Sequence, residues 1–437
     1  MASVHTCLDH DFTSANASSN PGRVHSFADI DTRRILTQVP PAMEVNNRIL
    51  CRPARPGDKF ACVSLHYLAE GAANVVFMMR PVDPFIPLSD EEPIVFEDNR
   101  GDTHPVANLL GSVLRISKGL QKTLGGEAVK KEFETEIAPM FRPEFEDQLL
   151  DLELVELDEA VLSILNRELS KHSHRGTKEI PMGTVGLLMD NMASISGTAL
   201  TIEIKPKWLA QSPNAPRSDT YRCRTCALRG MRTQFSDDQK AFVCPLQLCA
   251  GNKELVGPFV YQKVLDAVHS SHLHILPETE AIAAGITDYL STGRGHGILV
   301  HLRDLQNMLD TQGVVREEDP EIARALKALR QQNLELYEDE QDTYQHNLRL
   351  AMTLRDCSLF IRATYEKADG AFWTVSKVES KLGDLDFKSS RKWDDWQETE
   401  KALIADWYGW YTFGERGVEP FYDCLIAEQE RTPKARR

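Results

Sequence analysis

The chain has 437 residues, 42% hydrophobic and 26% charged, with 50 Lys+Arg against 65 Asp+Glu and a formal net charge of -15. That length exceeds what one hydrophobic core organises, so two lobes or domains are expected, and the acidic balance excludes a general nucleic-acid binder, which needs a broad basic footprint. There is no apolar run of bilayer length, Met1–Asn20 has no basic region ahead of an apolar core, and nine Cys in so long a chain are no disulfide framework, so an intracellular protein without a membrane partner is expected.

Residues 1–55, rich in Ser, Asn, Pro and Asp, lack apolar periodicity and read as a disordered extension. Val63–Leu68 alternates like a strand, Ala69–Asn74 supplies a turn of small residues, and Val75–Met79 returns as a second strand. Ser112–Ile116, Val185–Met189 and Ala199–Ile204 read as further strands; Gly126–Ile137 and Glu159–Glu168 read as helices. Helical patterns then cover Pro258–Val268, Glu318–Leu336 behind Asp319-Pro320, and Asp342–Leu354. Cys357–Tyr365 and Phe372–Leu382 form a hairpin across Asp369-Gly370, and Glu400–Tyr411 is an aromatic-rich helix. Antiparallel strands with clustered helices give an α+β class. The expected organisation is the extension 1–55, an N-terminal lobe 56–200, a C-terminal lobe 201–425 and a basic tail 426–437. The tail is a solvated basic end or a nuclear import signal, which leaves nucleus and cytoplasm both open.

Positive charge gathers in one stretch. From Ile204 to Arg232 the chain carries Lys205, Lys207, Arg217, Arg222, Arg224, Arg229 and Arg232 against the single acid Asp219. Such groups repel one another and are tolerated where a dense anion, phosphate above all, neutralises them. A basic surface loop is the plainer alternative. The turn Glu70–Asn74 brings small side chains where backbone N–H groups could meet phosphate; taken alone it is a tight hairpin before it is a ligand loop. Asp356, where helix gives way to strand, and Asp384 and Asp386, beyond the hairpin, can converge as a proton acceptor and a Mg²⁺ ligand, the division of labour that phosphoryl transfer needs. Singly, each acid is an ordinary cap or surface carboxylate. Cys223, Cys226, Cys244 and Cys249 approach a zinc-ribbon spacing with a long second knuckle. That departure weighs toward inert buried thiols, and a structural zinc stays open. No G-x-x-x-x-G-K-[ST], H-R-D or D-F-G motif occurs, so neither a P-loop NTPase nor a standard protein kinase fits.

Several of these motifs in order resemble the inositol-pentakisphosphate 2-kinase family: Glu70–Asn74, Val113–Ile116, Glu203-Ile-Lys-Pro-Lys207, Cys223-Arg-Thr-Cys226, Cys244-Pro-Leu, Arg355-Asp-Cys-Ser358 and Asp384-Leu-Asp-Phe-Lys388. The resemblance implies a two-lobed kinase-like fold with ATP between the lobes and phosphorylation of the 2-hydroxyl of inositol 1,3,4,5,6-pentakisphosphate to the hexakisphosphate. Gly71, Ala72, Ala73, Asn74 and Arg115 would contact the nucleotide phosphates, and Asp190 falls in the adenine-contacting hinge. Asp356 would be the base, Asp384 the Mg²⁺ ligand and Lys388 the bridge between nucleotide and inositol phosphates. Lys205, Lys207, Arg224 and Lys392 would hold the substrate. A monomer acting on ATP and the pentakisphosphate is expected; the alternative is a non-catalytic inositol-phosphate sensor, which would dispense with Asp356 or Asp384. Departures after Cys226 (Ala227-Leu228-Arg229), at Gln247 and at Ser389 bear on substrate contacts and leave both acids in place.

Overall fold

The computed structural model describes residues 48–58, 61–71, 73–82, 92–120, 123–172, 179–216, 220–233, 241–270, 279–315, 334–368, 372–405, 409–412 and 424–427. Seven strands close into a barrel: β1 (Arg48–Pro53), β2 (Val63–Glu70), β3 (Asn74–Pro81), β4 (Ile94–Glu97), β5 (Ser112–Ser117), β6 (Leu152–Leu157) and β7 (Val185–Asp190), in the spatial order β1-β4-β2-β3-β5-β7-β6. Most, though not β1, are rich in Val, Ile, Leu and Phe, which suits a pleated surface with one buried face. The seam is the parallel pairing of β1 with β6, Ile49 opposite Val155. Inward residues such as Val63, Phe77, Ile94, Leu114 and Ile116 are fully buried. Against them lies a helical stripe of Val161, Leu162, Leu165 and Leu169. It belongs to α3 (Glu159–His172), which follows the short α1 (Val106–Leu110) and α2 (Gly126–Glu132).

A second core surrounds a three-stranded antiparallel sheet of β8 (Ala199–Ile204), β9 (Ser358–Ala368) and β10 (Phe372–Gly383), in the order β10-β9-β8. Helices α4 (Arg224–Thr233), α5 (Pro245–Cys249), α6 (Lys253–Ser270), α7 (Thr279–Ser291), α8 (Arg294–Leu309), α9 (Leu334–Asp356) and α10 (Trp393–Ile404) make up the rest. Barrel and sheet meet where Leu149 bridges Leu382 and where Lys381 donates to the Leu149 carbonyl at 2.9 Å. No helix among the described residues is long and apolar enough to cross a membrane.

The class is α+β, as the pattern implies, and the closed barrel is new. The N-terminal extension was drawn too far: Arg48–Pro53 is β1, paired on both sides. The aromatic C-terminal helix lies earlier than expected, at Trp393–Ile404, and Trp410 and Tyr411 follow in a turn. Their rings are buried, so the aromatic pattern records tertiary packing rather than helix. The expected Asp319-Pro320 cap, the Asp369-Gly370 turn and residues 428–437 of the basic tail lie outside the described residues.

Candidate active site

Sheet pairing brings the motifs together. β8 ends at Ile204, beside Leu359 near the start of β9. Lys205 and Lys207 leave β8 at the point where Asp356 closes α9. Directly after Pro206, Lys207 adopts a left-handed backbone with φ 60°. Asp384, just past β10, is left-handed as well at φ 56°. Neither residue is glycine, and such conformations cluster where surrounding structure forces a functional geometry. Lysine Nζ atoms then pair with each acid separately. Lys207 donates to Asp356 Oδ1 at 3.2 Å, and Lys388 donates to Oδ2 at 2.8 Å. Lys205 donates to Asp384 Oδ2 at 3.1 Å and to Ser358 Oγ at 3.0 Å.

Burial by itself would raise the pKa of Asp356, but Lys388 and then Lys207 outweigh it and hold the carboxyl down at about 2. For Lys205 burial pulls the pKa down, yet Asp384 opposite raises it above the ordinary lysine value. Both groups are therefore charged at neutral pH.

Asp356 faces a cavity of about 690 Å³. Nine basic side chains line it against two acids, Glu203 and Asp356. Lys205, Lys207, Lys388 and Lys392 come from the predicted set. Arg229 and Arg232 reach it from α4 and Lys263 from α6. The sequence reading had no basis for Lys263, on a helix far from the basic stretch. Arg224 and Arg355 form the buried floor. Their guanidiniums lie 4.2 Å and 3.5 Å from the Trp208 ring on which both stack. Glu400 pairs with Arg224 at 2.7 Å and Asp310 with Arg355 at 2.6 Å. Arg224, expected to hold substrate, lines the cavity with its Nε on the buried Glu400. Arg217 lies outside the described residues.

The remaining predicted residues gather at the barrel. Gly71 N donates to the Asn74 carbonyl at 2.9 Å in a tight turn, and Asn74 opens β3. Lys118 anchors that turn: it pairs with Glu70, donates to the Gly71 carbonyl at 2.7 Å, and its own N–H reaches the Ala73 carbonyl at 2.9 Å. Ala72 falls outside the described residues. Arg115, on β5, forks onto Asp386, with Nη1 to Oδ1 at 2.9 Å. Together with Asp384 these two line a small cleft between barrel and sheet. Asp190 ends β7 in an ion pair with Lys381 at 2.9 Å.

The cysteine set is corrected. Cys223, Cys226 and Cys244 converge, but the fourth member is Cys424, not Cys249; the four Sγ atoms lie within 4.8 Å of one another. Cys249 is turned away on α5, with its Sγ on the Leu299 carbonyl at 3.8 Å, because α5 packs that face into the helical core. Spacing cannot find Cys424, which is 180 residues from Cys244.

An α+β protein with a strongly basic cavity and an ionised carboxylate at its edge is built to receive a small polyanion. A family model described as inositol-pentakisphosphate 2-kinase matches residues 67–402, and the chain belongs to that family. It is similar to the inositol-pentakisphosphate 2-kinase of Yarrowia lipolytica (strain CLIB 122 / E 150), 29% identical over 227 residues, which are 52% of this chain and 56% of the relative. The match thus spans a little over half of that relative's length.

Proposed function

We propose that the chain transfers the γ-phosphoryl group of ATP to the 2-hydroxyl of inositol 1,3,4,5,6-pentakisphosphate, giving the hexakisphosphate. The observation that carries this reading is the cavity with nine basic side chains in a chain of net charge -15, opening beside the ionised Asp356. Five phosphates on a small ring need that density of cations, and Lys205, Lys207 and Lys392 would hold them. Asp356 would accept the hydroxyl proton. Asp384, in the cleft on the barrel side, would hold Mg²⁺ on the nucleotide, and its carboxylate is chemically suited to that hard cation. When bound, the ion neutralises charge on the transferring phosphates. Lys388, bonded to Asp356, would reach both substrates. On this reading barrel and helical sheet are two lobes with ATP between them, the Gly71–Asn74 turn covers its phosphates, and the segment after Asp190 meets the adenine. Positioning and electrostatics then account for most of the rate, since phosphoryl transfer leaves little covalent work to the protein.

The test is ATP- and Mg²⁺-dependent conversion of the pentakisphosphate by the purified chain and by Asp356→Ala. The native chain forms the hexakisphosphate; the variant still binds the pentakisphosphate but turns over about 10² to 10⁴ times more slowly. Near-native turnover by the variant removes Asp356 as the base. Binding without turnover by the native chain removes the kinase reading altogether.

A further inference from the structure

We propose that Arg349 and Thr353 are positioning residues for Lys388, fixing its backbone to α9 so that its ammonium stays on Asp356.

Residues 384–389 follow β10 and belong to neither helix nor strand, so no ladder of backbone hydrogen bonds places Lys388. Side chains of α9 do so instead. Arg349 Nε donates to the Lys388 carbonyl at 2.7 Å. The Lys388 N–H donates to Thr353 Oγ1 at 3.0 Å. The Lys388 ammonium donates to Asp356 Oδ2 at 2.8 Å. Positions 349, 353 and 356 are spaced i, i+4 and i+7, which puts them on one face of the helix. One helix face thus holds the carbonyl, the amide and the ammonium of a single residue.

Each contact is itself constrained. The Thr353 hydroxyl gives its proton to the Arg349 carbonyl at 2.9 Å, which leaves an oxygen lone pair to accept from Lys388, and Thr353 is fully buried. The Arg349 guanidinium lies 4.0 Å from the Phe387 ring, and His346, one turn earlier on α9, packs its ring 5.4 Å from the same Phe387. Glu136 pairs with His346 at 3.1 Å, and Glu132 and Glu136 both lie close enough to Arg349 to offset its charge. The Lys388 side chain is 12% exposed and has little room to swing once its backbone is fixed.

The catalytic consequence rests on the proposed function. Asp356 is the last residue of α9, so the candidate base and the lysine beside it share one rigid support. Misplacement of a reacting group by about 1 Å can cost roughly 10²-fold in rate.

A double-mutant cycle on kcat separates positioning from simple stability. Thr353→Val removes the oxygen that accepts from the Lys388 N–H and keeps the shape of the side chain, whereas Thr353→Ser keeps the hydroxyl. Thr353→Val should lower kcat by about 10- to 10²-fold, Thr353→Ser should restore most of it, and Thr353→Val should cost little further once Lys388 is replaced by Met. Losses that multiply in the double variant, or a Thr353→Ser as slow as Thr353→Val, overturn the proposal. Should Thr353→Val fail to fold, Arg349→Met, at a half-buried side chain, takes its place in the cycle. If the native chain does not phosphorylate the pentakisphosphate, the kinase reading fails, and the same cycle is read without substrate by carbon-13 titration of the Asp356 carboxyl. Against the effect of burial, Lys388 holds that carboxyl down, so Thr353→Val should move its midpoint upward in the native background and leave it unmoved in Lys388→Met. An unmoved midpoint in the native background, or an equal rise in both, overturns the proposal.

Discussion

Asp356 is held between two lysines, and that arrangement constrains how it could work as a base. With Lys388 and Lys207 beside it and a pKa of about 2, it is fully ionised at neutral pH but weakly basic. On the proposed reaction the substrate phosphates compete for those same lysines, so arrival of substrate would strengthen the base at the moment it is required. The carboxyl's folded pKa is depressed, so its contribution to stability is present above the ordinary carboxylate value and is lost as pH falls toward 2. Lys388→Met should move the Asp356 midpoint upward. Carbon-13 titration of labelled aspartate carboxyls measures this directly, and an unchanged midpoint would show that Lys388 is not the cation that holds it down. That Lys205, Lys207, Asp356 and Lys388 share one cavity was legible because their motifs are local runs of sequence. Lys263 and Cys424 were not, because each joins its site only through tertiary packing.

Two elements are locked by a buried ion pair. Asp310 ends α8 and Arg355 lies in the last turn of α9, one residue before the candidate base, and both side chains are almost wholly enclosed. Removal of one partner leaves an uncompensated interior charge, so Arg355→Ala should cost about 3–5 kcal/mol of stability. Chemical denaturation measures that loss, and a cost under about 1 kcal/mol would mean that water or another cation replaces the arginine. The same scale explains what the sequence concealed in the fold. Strands β2, β3, β5, β7 and β8 were readable from short apolar runs bounded by turns. The four-residue β4 is too short for periodicity to mark. β1 lies in a Pro- and Arg-rich stretch, and its place is set by partners 40 or more residues away, as in Cys51 opposite Phe96 and Ile49 opposite Val155. Closure of the barrel was therefore invisible to a local reading.

Over the whole molecule, a chain of net charge -15 carries one concentrated basic cavity among its described residues. The field of the cavity attracts a polyanion, whereas the net charge of -15 repels it at long range. Salt screens exposed charges over about 8–10 Å at physiological ionic strength, and many simultaneous phosphate contacts compound the effect. On the proposed reaction, KM for the pentakisphosphate should therefore climb steeply between low and physiological salt, and more steeply than KM for ATP. Initial-rate kinetics across a salt series measure both slopes, and parallel slopes would count against the cavity as the pentakisphosphate site.

The pairing of β8 with β9 also sets an order on the ribosome. Every strand of the barrel has been synthesised by Asp190, so that core can close early. Lys205 must wait for Asp384, 179 residues further along the chain, and Cys244 waits for Cys424 across 180. The two candidate catalytic acids consequently meet their lysines only late in synthesis. A chain truncated by premature termination before Asp356 would retain a complete barrel and all of the basic stretch, yet lack both candidate catalytic carboxylates, Asp356 and Asp384.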